Sequence, residues 1–214
     1  MMSILYGQKV EDTKHKVFIS YHHLNDQEYK EKLLKINDIH KIFLDVSVDT
    51  HEIDDSLPDE RIREIIRDEY LKNSTVIILL VGLETKKRKH VDWELYSSMF
   101  DGKQNKKSGV FVINLPCTNC SHCNVSHEGE KAKVHPDITN WVTVTERSEY
   151  ERRYPYMPAR IIDNLLAKDA KISVVDWDKI AEEPSKLTFL IETVHSDREG
   201  NTYDLSRPMK RANS

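Results

Sequence analysis

Residues 75–82 read TVIILLVG, an uninterrupted apolar run closed by a glycine and preceded by the turn-forming pair Asn73-Ser74. The run is rich in β-branched residues, lacks polar alternation and is too short for a buried helix, so it reads as a strand covered on both faces. A strand of that kind needs neighbours on either side and layers above and below. Its surroundings supply them. SGVFVINLP (108–116) is a second such strand, and HKVFISYHH (15–23) a third, with Val17, Phe18 and Ile19 at its centre. HKIFLDVSVD (40–49) gives a fourth from Ile42 to Val46, and AKISVVDW (170–177) a fifth.

Helical periodicity fills the intervals. QEYKEKLLKIND (27–38) carries Tyr29, Leu33, Leu34 and Ile36 on one side, with Asn25 or Asp26 as a cap. THEIDDSLPDE (50–60) is an acidic loop ending in a helix start, where Ser56 caps, Pro58 suits the first turn, and Asp59 and Glu60 complement the dipole. That helix runs to about Leu71 and buries Ile62, Ile65, Ile66 and Tyr70. After Pro116 the rhythm breaks into CTNCSHCNVSHEGEKAKVHPDITNWVTVT (117–145), then resumes with a short helix in RYPYMPARIIDNLLAK and a last one in EPSKLTFLIETVHS. Alternating strand and helix predicts a doubly wound α/β fold, a mostly parallel five-stranded sheet with helices on both faces. The expected organisation is an extension over 1–14, a domain over 15–196 with an insertion around 117–160, and a frayed polar tail over 197–214.

Composition narrows the function. Hydrophobic residues make up 38% and charged residues 32% of 214 positions, which suits one folded domain with a charged surface. A net charge of −4 and a single short basic run, Lys86 to Lys89, argue against nucleic-acid binding. No stretch approaches the roughly 18 apolar residues of a membrane span, and the first ten residues lack a signal-peptide pattern, so a cytoplasmic location without membrane association is expected.

KHVDWELYSSMF (89–100) poses the chemical question. At about 100° per residue, Val91, Leu95 and Met99 form one apolar face and Trp93, Tyr96 and Phe100 another. Glu94 lies between them, beside the short side chains of Ser97 and Ser98. In doubly wound sheets ligands bind outside the carboxyl ends of the strands, where strand order reverses. The groups at that edge are Ser20, Tyr21, His22 and His23 after the first strand, Asp45, Ser47 and Asp49 after the second, and Gly82 with Leu83 after the third. Glu94, early in the next helix, can point over the same edge.

Here the sequence resembles a known family. VFISYHH is similar to the first-strand signature of TIR domains, an apolar strand ending in Ser and an aromatic residue. TVIILLVG followed by HVDWE resembles the region that carries the catalytic glutamate of NAD-cleaving TIR enzymes, and the acidic loop with LPDERI resembles the TIR-like proteins of Thoeris antiphage systems. The likeness spans about residues 14 to 115, with a weaker match through RYPYMPARIIDN. It implies an enzyme that releases nicotinamide from NAD and makes an ADP-ribose-derived signal, cyclic or conjugated, for a separate effector. Glu94 would be the catalytic acid; Ser20, Tyr21 and His22 would line the nicotinamide side, and Asp45 and Ser47 the ribose side. Gly82, His90 and Trp93 complete the candidate substrate site. TIR enzymes commonly carry Trp four residues before the acid, and His90 stands there in this chain. No cofactor beyond NAD as substrate is implied, and the expected partners are other TIR protomers in a homo-oligomer, a phage-derived trigger and the downstream effector.

Each feature has a plainer reading. Glu94 is also placed to serve the helix dipole, worth about 0.3 to 1 kcal/mol, Tyr21 to cover the core, and His22 and His23 to sit in an exposed loop. The whole domain also fits a non-catalytic TIR interaction module. Asp45, Asp49, Glu52, Asp54 and Asp55 lack EF-hand spacing and read as a solvated loop. Cys117, Cys120 and Cys123, with His122, His127 and His135 nearby, have the elements of a three-sulfur, one-histidine zinc site, but reduced loop cysteines are the default. A response-regulator phosphoacceptor is disfavoured, because Ser20-Tyr21-His22 stands where that chemistry needs an acid pair.

Overall fold

The computed structural model describes residues 14–47, 53–54, 56–103 and 105–214; Asp49, Glu52 and Asp55 of the acidic loop and nearly all of the 1–14 extension lie outside them. Five strands form one parallel sheet: β1 (Lys16–Ser20), β2 (Leu44–Asp45), β3 (Val76–Val81), β4 (Gly109–Asn114) and β5 (Ser173–Asp176). Their spatial order is β2-β1-β3-β4-β5, so the winding direction reverses between β1 and β3. Helices α1 (His23–His40), α2 (Asp59–Ile65), α3 (Lys89–Met99), α4 (Glu130–Val134), α5 (Arg147–Arg153), α6 (Ala159–Leu166), α7 (Trp177–Glu182) and α8 (Pro184–Asp197) cover it.

Because successive strand side chains point to opposite faces, TVIILLVG feeds two cores at once. Ile77, Leu79 and Val81 join Phe18, Val110 and Val112 beneath α2, α3 and α6, where Ile62, Trp93, Leu95 and Ile161 meet them. Val76, Ile78 and Leu80 join Val17, Ile19, Phe111 and Ile113 beneath α1, α7 and α8, against Leu33, Ile180, Leu187 and Leu190. The continuous apolar run is thus a consequence of burial on both faces.

Four local expectations give way. The second strand pairs over Leu44–Asp45 alone, because the Asn37 side chain takes up the preceding backbone: its Oδ1 accepts from the amides of Ile42 (3.0 Å) and Phe43 (2.8 Å). Ser56 bonds Asp54 instead of capping α2, and neither Asn25 nor Asp26 caps α1, which begins at His23. The second helix does reach Tyr70, but its last part, Ile66–Tyr70, is a wide turn in which the Leu71 amide donates to Ile66 O. The tail is docked, not frayed: Arg160 donates to Arg207 O and Pro208 O, the Lys210 amide donates to Asp92, and Met209 is buried. The 117–160 segment covers the outer edge of β5, where Asn124 and Val174 exchange backbone hydrogen bonds. Among the described residues, no helix is long and apolar enough to cross a membrane.

Candidate functional site

The reversal point between β1 and β3 opens into a cleft of about 300 Å³ lined by Tyr21, His22, His23, Leu24, Arg88, His90, Val91 and Glu94. One wall is the turn from β1 into α1. The other is the first two turns of α3. This is where a doubly wound sheet holds its ligand.

Glu94 stands at the floor, 4% exposed. Ser20, the last residue of β1, donates its hydroxyl to Glu94 Oε2 at 2.6 Å, which fixes the carboxyl across 74 residues of sequence. Burial removes water from the charged form and raises the carboxyl from an ordinary 4.5 to about 7; the Ser20 bond opposes that rise without cancelling it. Such a group exchanges its proton near neutrality. Ser97 and Ser98, one turn further along α3, are both fully buried, and the Ser98 hydroxyl donates to Leu95 O at 2.8 Å.

His22 is buried, contrary to its reading as an exposed loop residue; its Nδ1 has no hydrogen-bond partner, and desolvation first and Arg88 second push its pKa below the usual imidazole value. A neutral imidazole therefore lines the cleft. Tyr21 is buried with its hydroxyl donating to Gln27 Oε1 (2.6 Å) and its ring stacked on His23 at 4.4 Å. His90 meets the Trp93 ring edge to face at 5.0 Å and itself lines the cleft.

Four expected substrate contacts are placed elsewhere. Trp93 is fully buried behind His90, and its indole N–H donates to Lys210 O at 2.7 Å, so it holds the C-terminal segment. Gly82 serves packing: a Cβ there would collide with the buried Asp26 carboxylate, and its amide donates to Thr85 Oγ1, which in turn donates to Asp26. Asp45 accepts from the amide and hydroxyl of Ser47, and Ser47 Oγ accepts from the Ile19 amide, so both close the β1–β2 edge. Neither lines the cleft. The zinc set does not assemble: among the described residues no group of three or more His, Cys, Asp or Glu is placed to hold a metal. Cys117 is exposed, the Cys120 thiol donates to Arg153 O, and burial pushes Cys123 up to about 11, the state of an unreactive thiol.

Two features escaped the sequence. Arg88, read there only as part of a short basic run, lines the cleft and has no acidic partner among the described residues. Asp92 and Arg160 form a buried pair (2.9 and 3.0 Å) that, with the Lys210 amide, ties the first turn of α3 to α6 and the tail. Acid and arginine were both visible in the sequence, but 68 residues separate them.

Residues 18–119 match the family described as Thoeris protein ThsB, TIR-like domain. Over that segment the chain is similar to the Thoeris TIR-like family. The segment runs from β1 through α3 and β4, and so contains both walls of the cleft, Ser20 and Glu94. No curated protein matches the chain. The matched segment is similar to a TIR-like domain of a Thoeris protein, and the C-terminal part of the chain packs against its α3.

Proposed function

We propose that this ThsB-type domain cleaves the bond between nicotinamide and ribose in NAD, with Glu94 as the catalytic carboxylate. The observation that carries the reading is the buried Glu94, held by Ser20 at the floor of a cleft at the sheet's reversal point. As the bond from C1′ to the pyridinium nitrogen breaks, its electron pair passes to nicotinamide and positive charge develops on the ribose. An anion held against that carbon stabilises the charge, most strongly where water is excluded. Nicotinamide departs as a neutral ring and needs no general acid, which explains why one carboxylate suffices.

The Ser20 hydroxyl would orient Glu94, and the neutral imidazole of His22 can meet the leaving carboxamide without repelling the cationic ring. Arg88 suits the pyrophosphate, as a guanidinium with no carboxylate competing for it among the described residues. The ionised form of Glu94 is the working form, so cleavage rises with pH through about 7. The acceptor that takes the ribosyl carbon decides between ADP-ribose, a cyclic isomer and a conjugate, each suited to act as a signal for an effector. A second protomer packing on Leu24, which is on the rim and 86% exposed, would close the cleft in a homo-oligomer.

The test is to incubate the protein with NAD, alone and with extract from phage-infected cells as trigger, and follow both products by mass spectrometry. Nicotinamide with an equimolar ADP-ribose-type product is expected. NAD left intact in every condition would favour the non-catalytic interaction module.

A further inference from the structure

The sheet has a second cavity, at its amino edge, of about 480 Å³. Its charged lining comes from separate stretches: Lys14 and Lys16 at the start of β1, Arg67 in the wide turn after α2, Lys106 and Lys107 before β4, and Arg198 after α8. Among the described residues, no carboxylate lines it. In a chain of net charge −4, that convergence of six cations belongs to the fold and has no counterpart in any run of sequence.

Arg67 is the built element. It is only 4% exposed, forms no ion pair within 4 Å among the described residues, and its Nε has no partner. Its one polar contact is a long one, Nη1 to Ser108 Oγ at 3.4 Å, where Ser108 and Ser74 are themselves buried at the feet of β3 and β4. Burial depresses its pKa to about 10, with Asp68 and Asp101 the acids that act against the loss. An arginine held in this way is costly unless an anion completes it. The backbone that carries it is also unusual, since Ile66–Tyr70 is wound as a π-turn, a distortion that recurs at functional sites.

The other cations are partly committed. His15 bonds Glu192 and stacks on His195, Arg198 approaches Glu199 at 3.4 Å, Lys106 lies 3.8 Å from Asp101, and Lys107 donates to Asn201 O. Lys14, Lys16 and Arg67 have no such claim among the described residues. We infer that the amino-edge cavity is a binding site for a small, multiply charged phosphorylated anion of the pyrophosphate type, with Arg67 as its buried anchor and Lys14 and Lys16 at its mouth. The site is separate from the cleft, since the six residues of β3, about 20 Å of strand, lie between the two edges. A volume near 480 Å³ falls in the range of small-molecule sites and admits a nucleotide as well as the bare anion.

The probe is inorganic pyrophosphate, titrated calorimetrically into the full chain at near-physiological salt, with sulfate as a control for nonspecific anion binding. In an Arg88→Ala background, which removes the cleft's own pyrophosphate contact, saturable one-to-one binding is expected, weakened at least tenfold by Lys16→Glu, an exposed position, and by Arg67→Gln. Circular dichroism of each variant confirms folding, and Lys16→Glu carries the test if Arg67→Gln unfolds. Absence of binding in that background, or equal binding once Lys16→Glu is added, would overturn the inference. Equal affinity for sulfate, or displacement of pyrophosphate by a single-stranded oligonucleotide at lower concentration, would do the same.

Discussion

Glu94→Gln isolates what burial does to this carboxyl, because Gln keeps the volume and still accepts from Ser20 while losing the ionisation. In the folded chain Glu94 titrates at about 7 in place of 4.5, a difference worth about 3 kcal/mol when fully expressed. The sign follows from which state releases its proton first. The unfolded chain ionises near its ordinary value and the folded chain only near 7, so stability is greatest below the unfolded value and falls as pH rises towards 7. Between pH 5 and pH 8.5 wild type should lose about 2.5 kcal/mol that the variant keeps. Urea denaturation of both proteins across that range measures it. The advantage of Glu94→Gln should be small at pH 5 and grow to about 3 kcal/mol at pH 8.5. A difference that stays flat with pH would refute the claim that Glu94 is strained by burial, and with it the reason for regarding the acid as built for chemistry.

Three further outcomes follow from the same geometry. Arg160→Met strands the buried Asp92 carboxylate and should cost about 3 to 5 kcal/mol by denaturation, whereas a loss below about 1 kcal/mol would mean that the pair does not anchor α3. Gly82→Ala drives a methyl into the Asp26 carboxylate and should destabilise by about 1 to 3 kcal/mol; an unchanged melting temperature would show that Asp26 moves aside freely. Arg88→Ala should raise KM for NAD about tenfold, roughly 1.4 kcal/mol, with kcat nearly unchanged, and an effect on kcat alone would remove Arg88 from the pyrophosphate.

Much of this fold could be read locally because its decisive signals are local. An apolar run such as Val76–Val81 declares its own burial, and a polar slot on a helical wheel declares Glu94 before any neighbour is known. Ser20 and Glu94 were jointly legible because both sit at the edge to which the winding rule points. Trp93 was misplaced for a related reason: the wheel gives two apolar faces, but only the docked tail decides which of them turns from the cleft. Gly82 looked like a site residue because it follows the third strand at the carboxyl edge, and here it makes room for a buried side chain from α1. The cysteine spacing suggested zinc, yet turns in the 117–160 segment carry the three thiols to separate surroundings. The amino-edge cations have no sequence signature at all, since proximity among residues 14, 67, 106 and 198 exists only once the sheet is formed.

The central claim rests on Glu94 acting on NAD, and the most direct measurement is nicotinamide release by wild type and Glu94→Gln under the same triggering extract at pH 8. Wild type should release nicotinamide, and the variant should be slower by at least about a hundredfold, the scale on which removal of one electrostatic stabiliser acts. Equal release by a folded Glu94→Gln would contradict the account.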